Sequence, residues 1–166
     1  KTHFPRTKIF WGRGNGWVIA SLPMILENIG DNPEREAIID ILKQTSAALL
    51  PYQRADGTFE TIINKPGKTY RELSFTALVA FGWMKGTRMG ILEEKYRSAG
   101  IRAFEAVVDA LQYEEGKIFM AEVSGPTTPF PIFPYLAYKW IPRGKNWSYG
   151  LAALIFAAIE YDQIKA

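Results

Sequence analysis

At 166 residues and 48% hydrophobic content, the chain is long enough to bury one core and too apolar to be disordered. It has no cysteine and one histidine, which excludes disulfides, a thiol nucleophile and Cys- or His-rich metal sites. The net charge of +3 comes from scattered Lys and Arg rather than a basic stripe, so nucleic acid is not the expected partner and a small anionic substrate fits better.

Residues 1–8 are polar and run straight into a Trp- and Gly-rich motif, so no signal peptide is expected there. A first helix is predicted over residues 17–29, where Glu27 is the only charge among Val18, Ile19, Leu22, Ile25 and Leu26. It is apolar nearly all round, and Pro23 should kink it. Asp31-Asn32-Pro33-Glu34 then offers a cap residue, a proline for the first turn and an early acid, opening a second helix that ends before Pro51. Its charges (Glu34, Arg35, Glu36, Asp40, Lys43) oppose Ile38, Ile41, Leu42 and Leu49, the pattern of a half-exposed helix.

Residues 74–84 contain no charge and predict a third, fully buried helix that closes through Lys85, Gly86 and Arg88, with Gly90 just past its end. A fourth over residues 93–111 is amphipathic again, with seven charged residues set against Tyr96, Ile101, Phe104, Val108 and Leu111. The fifth, residues 149–159, is uncharged and Ala-rich, which permits close packing. No apolar run reaches the roughly 20 residues of a membrane span, so no membrane partner is expected.

Apolar and amphipathic helices therefore alternate. A helix greasy on every side must be covered on every side, while an amphipathic one needs a single cover. The sequence predicts an all-α, α/α toroid: residues 1–166 as one partial barrel domain, with helices 1, 3 and 5 in an inner ring and 2 and 4 outside. A plain bundle is the alternative. The turns at residues 52–59 and 112–119 share an acid-Gly pattern, a loose repeat. If the inner helices run the same way, their N-terminal ends lie on one face and favour bound anions. The connection over residues 113–146 is long, with Phe130, Phe133, Tyr135, Tyr138 and Trp140 among its prolines, and predicts a binding loop or lid.

The sharpest motif is Trp11-Gly12-Arg13-Gly14-Asn15-Gly16-Trp17. Arg13 offers a planar fork for a carboxylate, Trp11 a flat face for a sugar ring, and Gly14 and Gly16 room for close backbone approach. The alternative reading makes Trp11 and Trp17 core anchors and Arg13 a buried ion-pair partner. Glu72 reads as an acid, an orienter of Arg71 or, more simply, part of a helix start with Ser74. Asp56 reads as a turn former, and Asn146 and Ser148 as helix caps.

This motif resembles the Trp-x-Arg-Gly-Asn-x-Trp segment of glycoside hydrolase family 105, the unsaturated rhamnogalacturonyl hydrolases, and more distantly family 88. Tyr70-Arg71-Glu72-Leu73-Ser74 and Asn146-Trp147-Ser148-Tyr149-Gly150 resemble later parts of the same family, in order. The resemblance implies the C-terminal half of a six-hairpin barrel acting on pectin-type oligosaccharides that carry an unsaturated uronic acid. It implies hydration of the ring double bond, with no metal or cofactor. The expected substrate-binding set is Trp11, Arg13, Asn15, Trp17 and Trp147. The family also has a histidine upstream of the Trp-x-Arg motif, but His3 lies much closer to it than the family spacing.

The family's general acid is an Asp in the N-terminal half, and nothing in this sequence matches it, so no catalytic residue is assigned. The chain is then a fragment, a truncated product that pairs with a second copy or another chain, or a non-catalytic carbohydrate-binding or scaffold half-barrel. Half a ring should expose apolar helix flanks and self-associate or bind the missing half. Another toroid, such as a sugar epimerase, would call for histidines absent here. The compartment, cytoplasm or periplasm, is left open.

Overall fold

A computed structural model describes residues 8–130 and 132–165. Five long helices carry the fold: α1 (Gly12–Asn28), α2 (Arg35–Leu49), α3 (Leu73–Arg88), α4 (Glu94–Asp109) and α6 (Ser148–Lys165). Between α4 and α6 lie four short strands and one short helix: β1 (Gln112–Glu114), β2 (Lys117–Phe119), β3 (Val123–Ser124), α5 (Pro134–Lys139) and β4 (Arg143–Gly144). β1 and β2 form a hairpin with Tyr113 opposite Ile118, and β3 pairs with β4 so that Ser124 faces Arg143.

The uncharged stretch of the third helix is the axis of the molecule. Every residue from Leu73 to Gly86 is buried, with α1, α4 and α6 packed around it. On one side Ile19, Leu26, Leu42, Phe59, Val79 and Trp83 form a core; on the other Ala77, Phe81, Phe104, Val107, Ala153 and Ala157 form a second. Such burial stabilises each large side chain by roughly 1.5–3 kcal/mol. Ion pairs close the C-terminal ends of α1, α3 and α6: Lys85 reaches Glu27 at 2.8 Å, and Arg88 grips the buried Glu160 at 2.5 and 3.1 Å. The Lys85 ammonium holds the Glu27 carboxyl below its usual range.

The alternation predicted from sequence is present, but only α3 is covered on all sides. α1 leaves Trp17, Val18, Met24 and Ile25 exposed, and α6 leaves Ile155 and Ile159 exposed. These two helices are the flanks of the partial ring, and their outer apolar faces are open to solvent.

Local details depart from the sequence expectations for identifiable reasons. α1 begins at Gly12, so the glycines of the first motif lie inside a helix. A Cβ on Gly16 would fall 2.8 Å from the Phe75 ring, and one on Gly14 would fall 3.0 Å from the Trp11 ring. The tight packing is against protein, not a ligand. At α2, Pro33 precedes the helix, and the Asn32 side chain accepts from the Glu34 amide at 2.9 Å. The two similar turns diverge. Glu115 and Gly116, both at positive φ, make a two-residue hairpin turn. Around Gly57, by contrast, the Asp56 carboxylate accepts from the Thr58 amide at 3.0 Å, without a strand pair.

α1 and α3 pack tightly at Gly82, since a Cβ there would lie 2.4 Å from the Ile19 carbonyl oxygen. Gly82→Ala should therefore cost roughly 1–3 kcal/mol in urea unfolding by overpacking. A change within about 0.5 kcal/mol, the level of a neutral surface substitution, would show that the two helices can part freely.

Candidate functional site

The three inner helices run in parallel, so their N-terminal ends gather at one end of the molecule. Backbone pairing fixes them there. The Gly12 amide donates to Thr61 at 2.8 Å, Ile63 to Phe10 at 2.9 Å, Glu72 to Phe59 at 2.8 Å and Leu73 to Glu122 at 3.2 Å. The segment after α2 thus links α1 to α3, and the segment before β3 joins α3 to the long connection.

Arg13 lies at the centre of this end and is only 4% exposed. Its guanidinium donates from Nη1 to the Ser124 carbonyl at 2.5 Å and from Nη2 to the Gly125 carbonyl at 2.8 Å. Aromatic rings cover it on two sides, Tyr149 with its centroid at 4.3 Å and Trp11 at 5.0 Å. The stack continues outward. Tyr138 lies parallel to Trp11 at 5.7 Å with Phe130 on its edge, and Trp147 lies parallel to Tyr149 at 6.1 Å. One column of rings with a cation inside it therefore spans from α5 across the start of α1 to the start of α6.

Glu72 supplies the countercharge. Its carboxylate is fully buried, 3.9 Å from Arg13, and accepts from the Ser124 amide at 2.9 Å, the Phe75 amide at 2.6 Å and the Ser74 hydroxyl at 2.7 Å. It is the N-cap of α3, so the helix-start reading holds with Glu72 itself as the cap. Burial pushes its carboxyl above the usual range, opposed by Ser74, Ser124, Arg13 and Phe75. Burial likewise pushes the Tyr149 phenol up, against the pull of Arg13. That phenol donates to the Ser124 carbonyl at 2.7 Å, and the Tyr70 hydroxyl meets the Ser124 hydroxyl at 3.0 Å.

Of the five expected binding residues, Trp11, Arg13 and Trp147 belong to this column. The Arg13 fork, expected to reach for a sugar carboxylate, is instead spent on two backbone carbonyls. What reaches the surface from Arg13 is its charge, since the side chain is enclosed. Asn15 faces elsewhere. Its amide donates to the Trp11 carbonyl at 2.8 Å, and with Phe10, Gln44 and Tyr52 it lines a cleft of about 490 Å³ at the side of α2. Trp17 is 40% exposed on the open flank of α1, away from the column. Trp147 is 39% exposed at the column's end, its indole against Gly144. Asn146 accepts from the Met120 amide at 2.8 Å rather than capping α6. His3 lies outside the described residues. No cluster of three or more His, Asp or Glu able to hold a metal is present among the described residues.

Sequence reasoning missed Tyr138, Ser124 and Gly125. Tyr138 stood in a loop marked only as aromatic, and the other two act through backbone carbonyls, which leave no side-chain signature. Tyr149 sat inside a quoted motif without a role.

The profile of Glycosyl Hydrolase Family 88 matches residues 2–165. The chain belongs to Glycosyl Hydrolase Family 88. It is 28% identical over 155 residues to an unsaturated 3S-rhamnoglycuronyl hydrolase of Alteromonas sp. (strain LOR), covering 92% of this chain and 35% of that protein. It is 30% identical over 154 residues to the unsaturated rhamnogalacturonyl hydrolase YesR of Bacillus subtilis (strain 168), covering 91% and 41%. Among solved structures, a possible member of the GH105 family from Klebsiella pneumoniae superposes with a TM-score of 0.84 at 27% identity, covering 94% of this chain and 40% of that one. This Family 88 chain thus spans about two fifths or less of the length of these relatives, and its fold is part of a six-hairpin toroid.

Glu72→Ala should cost roughly 2–4 kcal/mol, because it removes a cap and leaves the Ser124 amide and the Arg13 charge short of a partner. The pH dependence has a definite sign. The folded chain holds the Glu72 proton above the ordinary value of 4.5, so between that value and the raised folded one, stability falls as pH rises. Glu72→Gln, which has no proton to exchange, should lack that slope. Parallel melts of the two proteins across this range would contradict the assignment.

Proposed function

We propose that this chain is part of a glycoside hydrolase that acts on unsaturated uronyl oligosaccharides of the galacturonyl-rhamnose type, and that the general acid is supplied from outside these 166 residues. The observation that carries the proposal is the cation-bearing aromatic column at the shared N-terminal end of three inner helices, in a chain of Family 88.

Each part suits a flat, anionic sugar. The exposed Trp147 face and the edge of Trp11 offer apolar surface to pyranose C–H groups. Arg13 and the helix N-termini place positive potential beside it, at the end where a carboxylate is best held. The buried charge of Glu72 keeps Arg13 from turning outward. The reaction proposed is addition of water across the ring double bond: a carboxylic acid gives a proton to one carbon, water adds to the other, and the resulting hemiketal opens to release the adjoining sugar.

The carboxyls nearest the column are not placed to be that acid. Glu72 is enclosed by donors and has no path to solvent, and Glu122 is paired with Arg71 and with Arg143 at 3.6 Å. This also favours the second reading, a non-catalytic carbohydrate-binding or scaffold half-barrel. The open apolar flanks of α1 and α6 support a further part of the proposal, that the missing half of the ring or a second copy covers them.

The purified chain should not consume an unsaturated galacturonyl-rhamnose disaccharide, followed as loss of absorbance of the conjugated double bond. Addition of the remaining part of the ring should start the reaction. Turnover by the pure chain would refute the external acid. In sedimentation the chain alone should self-associate or bind a hydrophobic dye; a stable, dye-silent monomer would contradict the half-ring.

A further inference from the structure

α5 presents two apolar faces, and only one of them is used. Pro134 and Tyr138 point inward, where Tyr138 stacks on Trp11. Leu136 lies in the helix away from them, Phe133 and Trp140 cap its two ends, and all three are exposed, Phe133 at 73% and Trp140 at 70%. Phe133 also has left-handed backbone, at φ 48°. That conformation costs roughly 1–2 kcal/mol for a residue with a side chain. The exposed ring returns nothing for it within the chain.

The charge around this face is one-sided. From Val123 to Ile159 the sequence contains no Asp or Glu, but it contains Lys139, Arg143 and Lys145. Arg143 and Lys145 are paired with Glu122 and Glu114 from neighbouring segments. Lys139 has no acidic partner among the described residues, and its ammonium lies 5.6 Å from the Tyr135 ring. An exposed aromatic face beside an unneutralised lysine suits a ligand with flat apolar faces and negative charge.

We infer that the outer face of α5 is a second carbohydrate subsite, taking a uronate-bearing sugar further along the same chain whose end lies at the Arg13 column. The inference rests on the proposed substrate class. Proximity supports it: the helix whose ends carry Phe133 and Trp140 also carries Tyr138, which stacks on Trp11 of the column. Lys139 then meets a uronate carboxylate while the rings take the pyranose faces.

The test uses the full 166-residue chain and two probes, the unsaturated galacturonyl-rhamnose disaccharide and a longer rhamnogalacturonan oligosaccharide with the same unsaturated end, titrated calorimetrically. The longer probe should bind tighter by roughly fivefold to tenfold, the size of one aromatic stacking contact. Trp140→Ala should abolish that gain while leaving disaccharide binding unchanged, and Lys139→Gln should reduce it. Both residues are exposed, and circular dichroism would verify that the variants fold. Equal binding of the longer probe by wild type and Trp140→Ala would overturn the inference yet leave the end site standing. A longer probe held through Trp140 with no disaccharide binding would support the subsite and sink the end site. If Trp140→Ala alters only sedimentation, the face is a protein contact and the inference fails. If neither probe binds, both proposals fail.

Discussion

A guanidinium cannot be taken out of water alone; it must find acceptors for its donors and a countercharge or polarisable surface for its charge. Arg13 obtains these only because four separate segments meet at it: two carbonyls from the strand region at Ser124 and Gly125, a carboxylate from the cap of α3, one ring from the start of α1 and one from the start of α6. None of these segments can shift without leaving a buried donor, acceptor or charge unpartnered. The arrangement of this end of the molecule follows from that constraint, including the course of the long connection after β2, which has to bring two carbonyls to one side chain.

The same constraint divides the site into a fixed interior and an open rim. The interior is made of groups whose hydrogen bonds are already used: Arg13, Glu72, Ser124 and the Tyr149 hydroxyl. The rim consists of ring surface open to solvent, chiefly the face of Trp147 turned away from Tyr149. A sugar ligand would meet apolar surface backed by a buried positive charge, with helix N-termini beside it. Such a site binds by shape and potential without having to reorganise.

Much of the architecture could be read from the chain because burial leaves a periodic record. The charge-free run within α3 marked the one helix enclosed on every side, and the charged faces of α2 and α4 marked the outer layer. The ends of α1 and α6 were less legible. Their outward-facing apolar residues, Val18, Met24 and Ile25 on α1 and Ile155 and Ile159 on α6, are exposed, so composition alone implied more cover than they have. The start of α1 was displaced because three glycines in six residues argue against a helix on propensity, whereas Gly12 and Gly16 are there to let Phe75 approach. Of the column, Trp11, Arg13 and Trp147 were legible through the motifs that contain them. Arg13's use of its fork was not, since its acceptors are main-chain oxygens more than 110 residues away.

The most direct test of this account is a double-mutant cycle between Arg13 and Tyr149, using Arg13→Lys and Tyr149→Leu and measuring unfolding free energy in urea. A lysine keeps the charge but lacks the planar stack and the two-carbonyl fork. If the cation within the column holds the helix ends together, the two substitutions should couple by about 1–2 kcal/mol, while a parallel cycle of Arg13 with the outlying Trp17 should be additive within about 0.5 kcal/mol. Additivity of Arg13 with Tyr149 would contradict it.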